Sequence, residues 1–227
     1  ADRFSARSLM AVSLVLTALG GLYMATFPGV WQMSVLYGYW GVTTIFLFWA
    51  AMIKATRDWG GDASQGTAFG ILDGGRGLAA ATLAAVAVGI LAIYLPAEAI
   101  EVNNLDRRTA LRSIILYYAL ITLLCAAIVW VLVPHDSATV SRDRNPFAGV
   151  PEVLRRPLIW AQAGIIICAY CGYKALDNYA LYAVQVLGMS EVDGALLATY
   201  GAYPRPIPCV VAGLVAALIA WPAALLP

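Results

Sequence analysis

Long apolar runs, separated by short polar ones, account for most of the chain. Six of them, at about 9–27, 30–53, 69–95, 114–133, 158–187 and 194–218, are near or above the roughly 20 residues a helix needs to cross a bilayer. Within each run the apolar character is continuous. A membrane barrel strand would instead alternate apolar and polar positions over about ten residues. The pattern therefore predicts helices, whose backbone groups are satisfied within the segment. The expected fold is all-α, a polytopic transmembrane bundle of about six spans.

Composition agrees. Apolar residues make up 62% of the chain and charged residues only 12%, against about 25% charged in an ordinary soluble domain. The net charge of +1 says less than its distribution. With the N-terminus in the cytoplasm, Arg3, Arg7, Lys54, Arg57, Arg142, Arg144, Arg155 and Arg156 fall inside, while Arg107, Arg108 and Arg112 fall outside. An even number of spans then places both termini in the cytoplasm, at a cell inner membrane. The opening segment lacks the short apolar core and small-residue cleavage site of a signal peptide.

The longest polar stretch, HDSATVSRDRNPFAGVPEVLRRP at 135–157, divides four runs from two. It is expected to be a cytoplasmic linker between helical bundles at 1–134 and 158–227, with PEVLRR starting a surface helix. The external loop AEAIEVNNLDRRTALRS is acidic and then basic, and its TALRS is expected to begin the fourth helix. Small residues recur inside the runs. Gly20 and Gly21 interrupt the first, and GILDGGRGLAAATLAAVAVG in the third carries Gly70, Gly74, Gly75 and Gly77. In lipid such residues let helix backbones approach closely, so the third span is expected to lie tightly against neighbours. Cys125, Cys168, Cys171 and Cys209 fall within predicted spans and read as small, buried packing residues. With one histidine, His135, in a loop, no metal or cofactor site is expected.

The opening ADRFSARSLM resembles the loop signature of the major facilitator superfamily. That signature has a Gly, three variable residues, Asp-Arg, then a Gly and basic residues between the second and third spans. Asp2, Arg3 and Arg7 match its Asp-Arg and final basic position, and Ser5 stands where Gly is usual. The long basic linker four spans later keeps the same register. The resemblance implies that these runs are the family's third to eighth spans, that the chain is a fragment, and that Asp2, Arg3 and Arg7 form a conformational latch. It also implies that the third, fifth and sixth runs border the central cavity or the interface between bundles.

Ionisable groups inside a membrane are expensive and usually face a cavity or a partner. Asp73 and Arg76, three residues apart on the third run, share a helix face and form either a gate or a packing ion pair. Lys174 and Asp177 have the same spacing in CAYCGYKALDNYALYAVQ, among Tyr170, Tyr173, Asn178 and Tyr182. This patch reads as a solute or coupling-proton site, or else as a structural polar cluster. Arg205 lies in TYGAYPRPIPCVV, where Pro204, Pro206 and Pro208 must break or kink the helix. Broken helices at membrane depth often mark binding sites, which makes Arg205 a candidate anion-binding group; the alternative is a water-exposed loop. On the second run Gln32, Tyr37, Trp40 and Thr44 are polar, and the last three share a face that is either a cavity wall or an interface belt.

The expected function is secondary transport of a small organic, anionic solute by alternating access, with protons as a coupling ion. The expected surroundings are membrane lipid, with no nucleic acid. The competing reading is a non-transporting scaffold or accessory subunit of a larger membrane complex. An enzyme is not expected, because no nucleophile–base pair, metal cluster or phosphate loop is present.

Overall fold

A computed structural model of the chain describes residues 5–61, 64–95, 104–134, 150–175, 178–204 and 206–223. The described elements are all helices. They are α1 (Ala6–Met24), α2 (Val30–Trp40), a π-helical segment (Gly41–Trp49), α3 (Ala50–Gly60), α4 (Gln65–Tyr94), α5 (Asn104–Leu132), α6 (Val150–Leu154), α7 (Pro157–Ala175), α8 (Tyr179–Gln185), α9 (Glu191–Ala202) and α10 (Pro206–Ala223). Among the described residues, five stretches are long and apolar enough to cross a membrane: Ala6–Met24, Val30–Gly60, Gln65–Tyr94, Asn104–Leu132 and Glu191–Leu218.

Helix bounds depart from the apolar runs where polar residues are good helix formers. The second helix runs on to Gly60, carrying a Lys54–Asp58 ion pair at 3.5 Å, and stops where Gly61 takes a φ of +58°. The fourth begins at Asn104 rather than within TALRS, with Asp106 in its first turn, where the helix dipole favours a negative charge. The fifth run differs most. Its described residues form α7, apolar over Pro157–Gly172 but shorter than a span, and then α8, with Asn178 at the N-cap position. Polar Lys174 and Asn178 fall in the middle of this run, and Asn favours a cap over a helix interior. The sixth run is interrupted as the prolines demand: α9 ends at Ala202, Tyr203 and Pro204 form a turn, and α10 starts on Pro206. PEVLRR does start a short surface helix, in which Glu152 and Arg156 pair at 2.7 Å. Most of the linker, residues 135–149, lies outside the described residues.

The chain forms two compact units, Ala1–Ala138 with Thr199–Pro227, and Thr139–Ala198. In the first, α1 lies along α5 and against the π segment, and α4 packs on α3, α5 and α10. Its buried residues are mainly alanines, among them Ala6, Ala18, Ala51, Ala81, Ala110 and Ala119. Large residues such as Phe46, Ile93, Leu120 and Val131 point outward. This arrangement inverts that of a soluble core, because in lipid close helix approach stabilises while the outer face must be apolar. Ala6, Met10, Ala51 and Met52 form a buried cluster joining α1 to α3.

Glycine makes the tightest seam. A Cβ on Gly70 would lie 3.0 Å from the Cα of Gly213, and one on Gly213 would lie 2.7 Å from both the Cα of Gly70 and the carbonyl oxygen of Gly66. Gly74 and Gly77 continue the line against Val210 and Pro206. The close packing expected of the third run is thus present, and its partner is α10. At the far end of α1 the chain turns through Phe27, whose φ of +56° is rare for a bulky side chain. Two arginines of α5 reach this turn. Arg112 Nε donates to the Ala25 carbonyl at 3.0 Å, satisfying an orphan acceptor at the helix C-terminus. Arg108 places its guanidinium 5.2 Å from the centre of the Phe27 ring.

In the second unit, Gly194 of α9 packs on Ala180, Ala183 and Val184 of α8. The turn between them uses Gly188 at a φ of +67°. Ser190 caps α9, accepting from the Asp193 amide at 3.1 Å and donating to its carboxylate at 2.7 Å. Cys168 and Cys171, expected to be buried, are exposed on α7. Among the described residues, α7 packs on α6.

Candidate functional site

The charged group that the fold assembles most clearly is on α4. Asp73 and Arg76, one turn apart, pair at 2.9 Å through Arg76 Nη1. The Arg76 guanidinium also lies 4.7 Å from the ring centre of Trp49, the last residue of the π segment. A carboxylate on one side and an indole face on the other neutralise a cation that bare hydrocarbon would not accept. Gly74 and Gly77 lie within the same turn of α4 and pack on α10. The pair therefore sits beside the glycine seam.

Trp40 faces inward from α2. Its indole N–H donates to the Thr17 carbonyl at 3.0 Å, and the ring lies directly over Gly20, whose missing side chain leaves room for it. Tyr37 meets it edge-on at 5.7 Å, and the Thr44 hydroxyl donates to its carbonyl at 2.6 Å. Tyr37 is exposed and Thr44 bonds within its own helix, so of these three residues Trp40 alone reaches α1.

Around it lies a hydroxyl network that sequence reading missed. Ser13 Oγ donates to the Thr43 carbonyl at 2.6 Å, Thr17 Oγ1 to Thr43 Oγ1 at 3.1 Å, and Tyr39 to the Leu16 carbonyl at 2.6 Å. Ser13 and Thr43 are 0% and 2% exposed, the largest fully buried side chains described, in a unit whose interior is mainly alanine. The available signal was the i, i+4 spacing of Ser13 and Thr17, which puts two hydroxyls on one face of α1.

Towards the α1–α2 turn, Tyr23, Trp31, Gln32, Val35, Leu36 and Tyr39 line a groove of about 410 Å³. Two of its polar atoms are committed within the protein: Gln32 Oε1 accepts from the Gly29 amide at 2.7 Å and the Tyr39 hydroxyl bonds α1. The groove presents mainly carbon. Gln32, one of the polar residues noted on the second run, lies on its wall.

Of the other predicted residues, Arg7 and Lys174 have described side chains. Arg7 stacks on Trp130 of α5 at 4.8 Å. Its Nε and the Ser5 hydroxyl are buried without a hydrogen-bond partner among the described residues. Lys174, exposed on α7, has its ammonium 5.8 Å from the Tyr170 ring centre. Asp2, Arg3, Asp177 and Arg205 lie outside the described residues, as does the side chain of Tyr173. Among the described residues, no group of three His, Cys, Asp or Glu could hold a metal ion.

Comparison with known proteins gives one consistent answer. The family model of the Major Facilitator Superfamily matches residues 1–226. Inner membrane protein YqcE of Escherichia coli (strain K12) is 27% identical over 202 residues, covering 87% of this chain and 45% of that protein. Inner membrane protein YihN of the same organism is 23% identical over 201 residues, covering 83% of this chain and 45% of the relative. The chain thus spans a little under half the length of the curated relatives it matches. No solved structure matches it.

Proposed function

The chain belongs to the major facilitator superfamily, and from that premise we propose that it is part of a secondary transporter of a small organic, anionic solute, working by alternating access in the cell inner membrane. Residues 1–134 would contribute to one helical bundle and 158–227 to the other, joined by the cytoplasmic linker 135–157, with both termini of this stretch inside. Two relatives named as inner membrane proteins support the location. The observation that carries the transport reading is the Asp73–Arg76 pair, held against Trp49 beside the glycine seam within a 30-residue apolar helix. An intramembrane charge pair is retained at such cost where charges move or meet a solute.

In this reading Arg205 and Lys174 attract the solute's negative charge, Tyr173 and Trp40 contact its body, and Asp177 exchanges a coupling proton. Asp73 and Arg76 act as a gate, while Asp2, Arg3 and Arg7 latch the bundles. Uptake by proteoliposomes containing the full-length protein tests this, using a panel of radiolabelled carboxylates and sugar phosphates with and without an inward proton gradient. One solute class is expected to accumulate, and its uptake to fall at least about tenfold, or roughly 1.4 kcal/mol, in Arg205→Ala and in Lys174→Ala. Absence of uptake across the panel, together with stable co-purification of a membrane partner, would instead establish the scaffold reading.

A further inference from the structure

A run of nine π-helical residues is long for a form that mostly occurs as single-turn bulges, frequently at functional sites. The segment is continuous with α-helix on both sides: Trp40 and Ala50 at its borders have ordinary helical φ and ψ. A π turn closes i→i+5 where an α turn closes i→i+4. The segment therefore accommodates spare chain length between two fixed flanks. Upstream, Trp40 is fixed to α1 over Gly20 and by its bond to Thr17. Downstream, Ala51 and Met52 are fixed to α1 in the cluster with Ala6 and Met10. What lies between is pinned from outside the helix, because the buried Ser13 hydroxyl donates to the Thr43 carbonyl and Thr17 meets the Thr43 hydroxyl. At the other end of the segment, Trp49 carries the Arg76 guanidinium of the Asp73–Arg76 pair.

We propose that the Gly41–Trp49 segment is a register switch, in which the hydroxyls of Ser13 and Thr17 hold the π form and so hold Trp49 over Arg76. Release of the Ser13 bond lets the segment tighten towards α geometry. Each residue of register turns the helix beyond it by about 100°. Trp49 then leaves the guanidinium as Ala51 and Met52 turn out of their cluster with Ala6 and Met10, and the Asp73–Arg76 pair loses its aromatic face. The two ends are coupled because both bias one element with two arrangements. This inference concerns the first unit alone and stands whether or not the proposed transport holds.

The test is 19F NMR of the full-length protein labelled with 5-fluorotryptophan in lipid nanodiscs, with the Trp49 resonance assigned by its loss in Trp49→Phe. Arg76→Gln is expected to shift that resonance, and Ser13→Ala to shift or split it in the same sense. Ser13→Cys, a near-isostere with a weaker donor, gives a smaller change and serves where Ser13→Ala folds poorly. If Ser13→Ala moves the Trp40 resonance and leaves Trp49 in place, the hydroxyl only glues two helices and the switch is refuted. Deletion is an independent arm. Removing outward-facing Val42 takes up the spare residue, and the protein should retain a monodisperse size-exclusion profile with both flanks in register. Removing outward-facing Leu120 from regular α5 has no such reserve and should abolish that profile. Equal loss in both deletions would overturn the proposal.

Discussion

Where α4 meets α10 the contact is backbone on backbone, with Gly213 so close to Gly66 and Gly70 that it has no space for a methyl group. Where α1 meets the second helix, the contact is a set of donors, Ser13, Thr17, Tyr39 and Trp40, reaching across to acceptors on the opposite helix. Both seams solve the same difficulty. Lipid tails are as apolar as leucine, so burying carbon against carbon adds little, and helices must be joined by proximity or by hydrogen bonds. The glycine seam depends on what is missing, so it fails when atoms are added. The hydroxyl seam depends on what is present, and it weakens gradually as donors are removed.

The sharpest way to break that contrast is to add bulk at the first seam. Gly213→Leu must push α10 away from Gly66 and Gly70, and overpacking of this kind costs up to about 3 kcal/mol or more. The expected result is loss of the monodisperse fraction, or a large drop in the thermal midpoint measured in detergent; an unchanged midpoint would mean that α4 and α10 do not meet here. Trp40→Phe keeps an aromatic ring and removes the additional bond to the Thr17 carbonyl, for a smaller cost of about 0.5–1.5 kcal/mol. It should also relieve Gly20→Ala, which crowds the indole in the wild type, so the double variant should be more stable than the sum of the single changes implies. Ser13→Ala removes one interhelical hydrogen bond, and such bonds in membranes average about 0.6 kcal/mol. Its thermal midpoint should therefore move little, even though the Trp49 environment moves. The control is Gly75→Ala. Nothing lies within 4 Å of a Cβ there, so this helix should gain up to about 1 kcal/mol from better propensity. Destabilisation by Gly75→Ala would indicate that a further element covers this face.

Much of this could be read in the amino-acid order. Helices in lipid need long continuous apolar runs, which is why four of the six predicted stretches reappear as long unbroken helices among the described residues. The Asp73–Arg76 pair was legible because i, i+3 spacing fixes a helix face, and the tight packing of α4 because four glycines in eight residues leave no other use for the surface. Three things were not legible. Stacking of Arg76 on Trp49 joins separate helices, and no local spacing encodes which helices adjoin. The π segment GVTTIFLFW is apolar except for the adjacent Thr43 and Thr44, too few polar positions for its pattern to distinguish an i→i+4 from an i→i+5 repeat. The exposure of Cys168 and Cys171 on α7 follows from which neighbours that helix has, while their small size suited either environment.

The arginine clamp on the α1–α2 turn bears on the order in which the chain becomes stable. The carbonyl of Ala25 finds its donor 87 residues downstream, in Arg112. Phe27 holds its left-handed conformation, costing of order 1–3 kcal/mol, with the help of Arg108 on the same later helix. At a synthesis rate of roughly 5–20 residues per second, the turn between α1 and α2 waits about 4–17 s for the residues that secure it. During that interval the turn is free to relax. The hairpin is meanwhile held by its hydroxyl seam, and its turn is secured only by the arrival of α5.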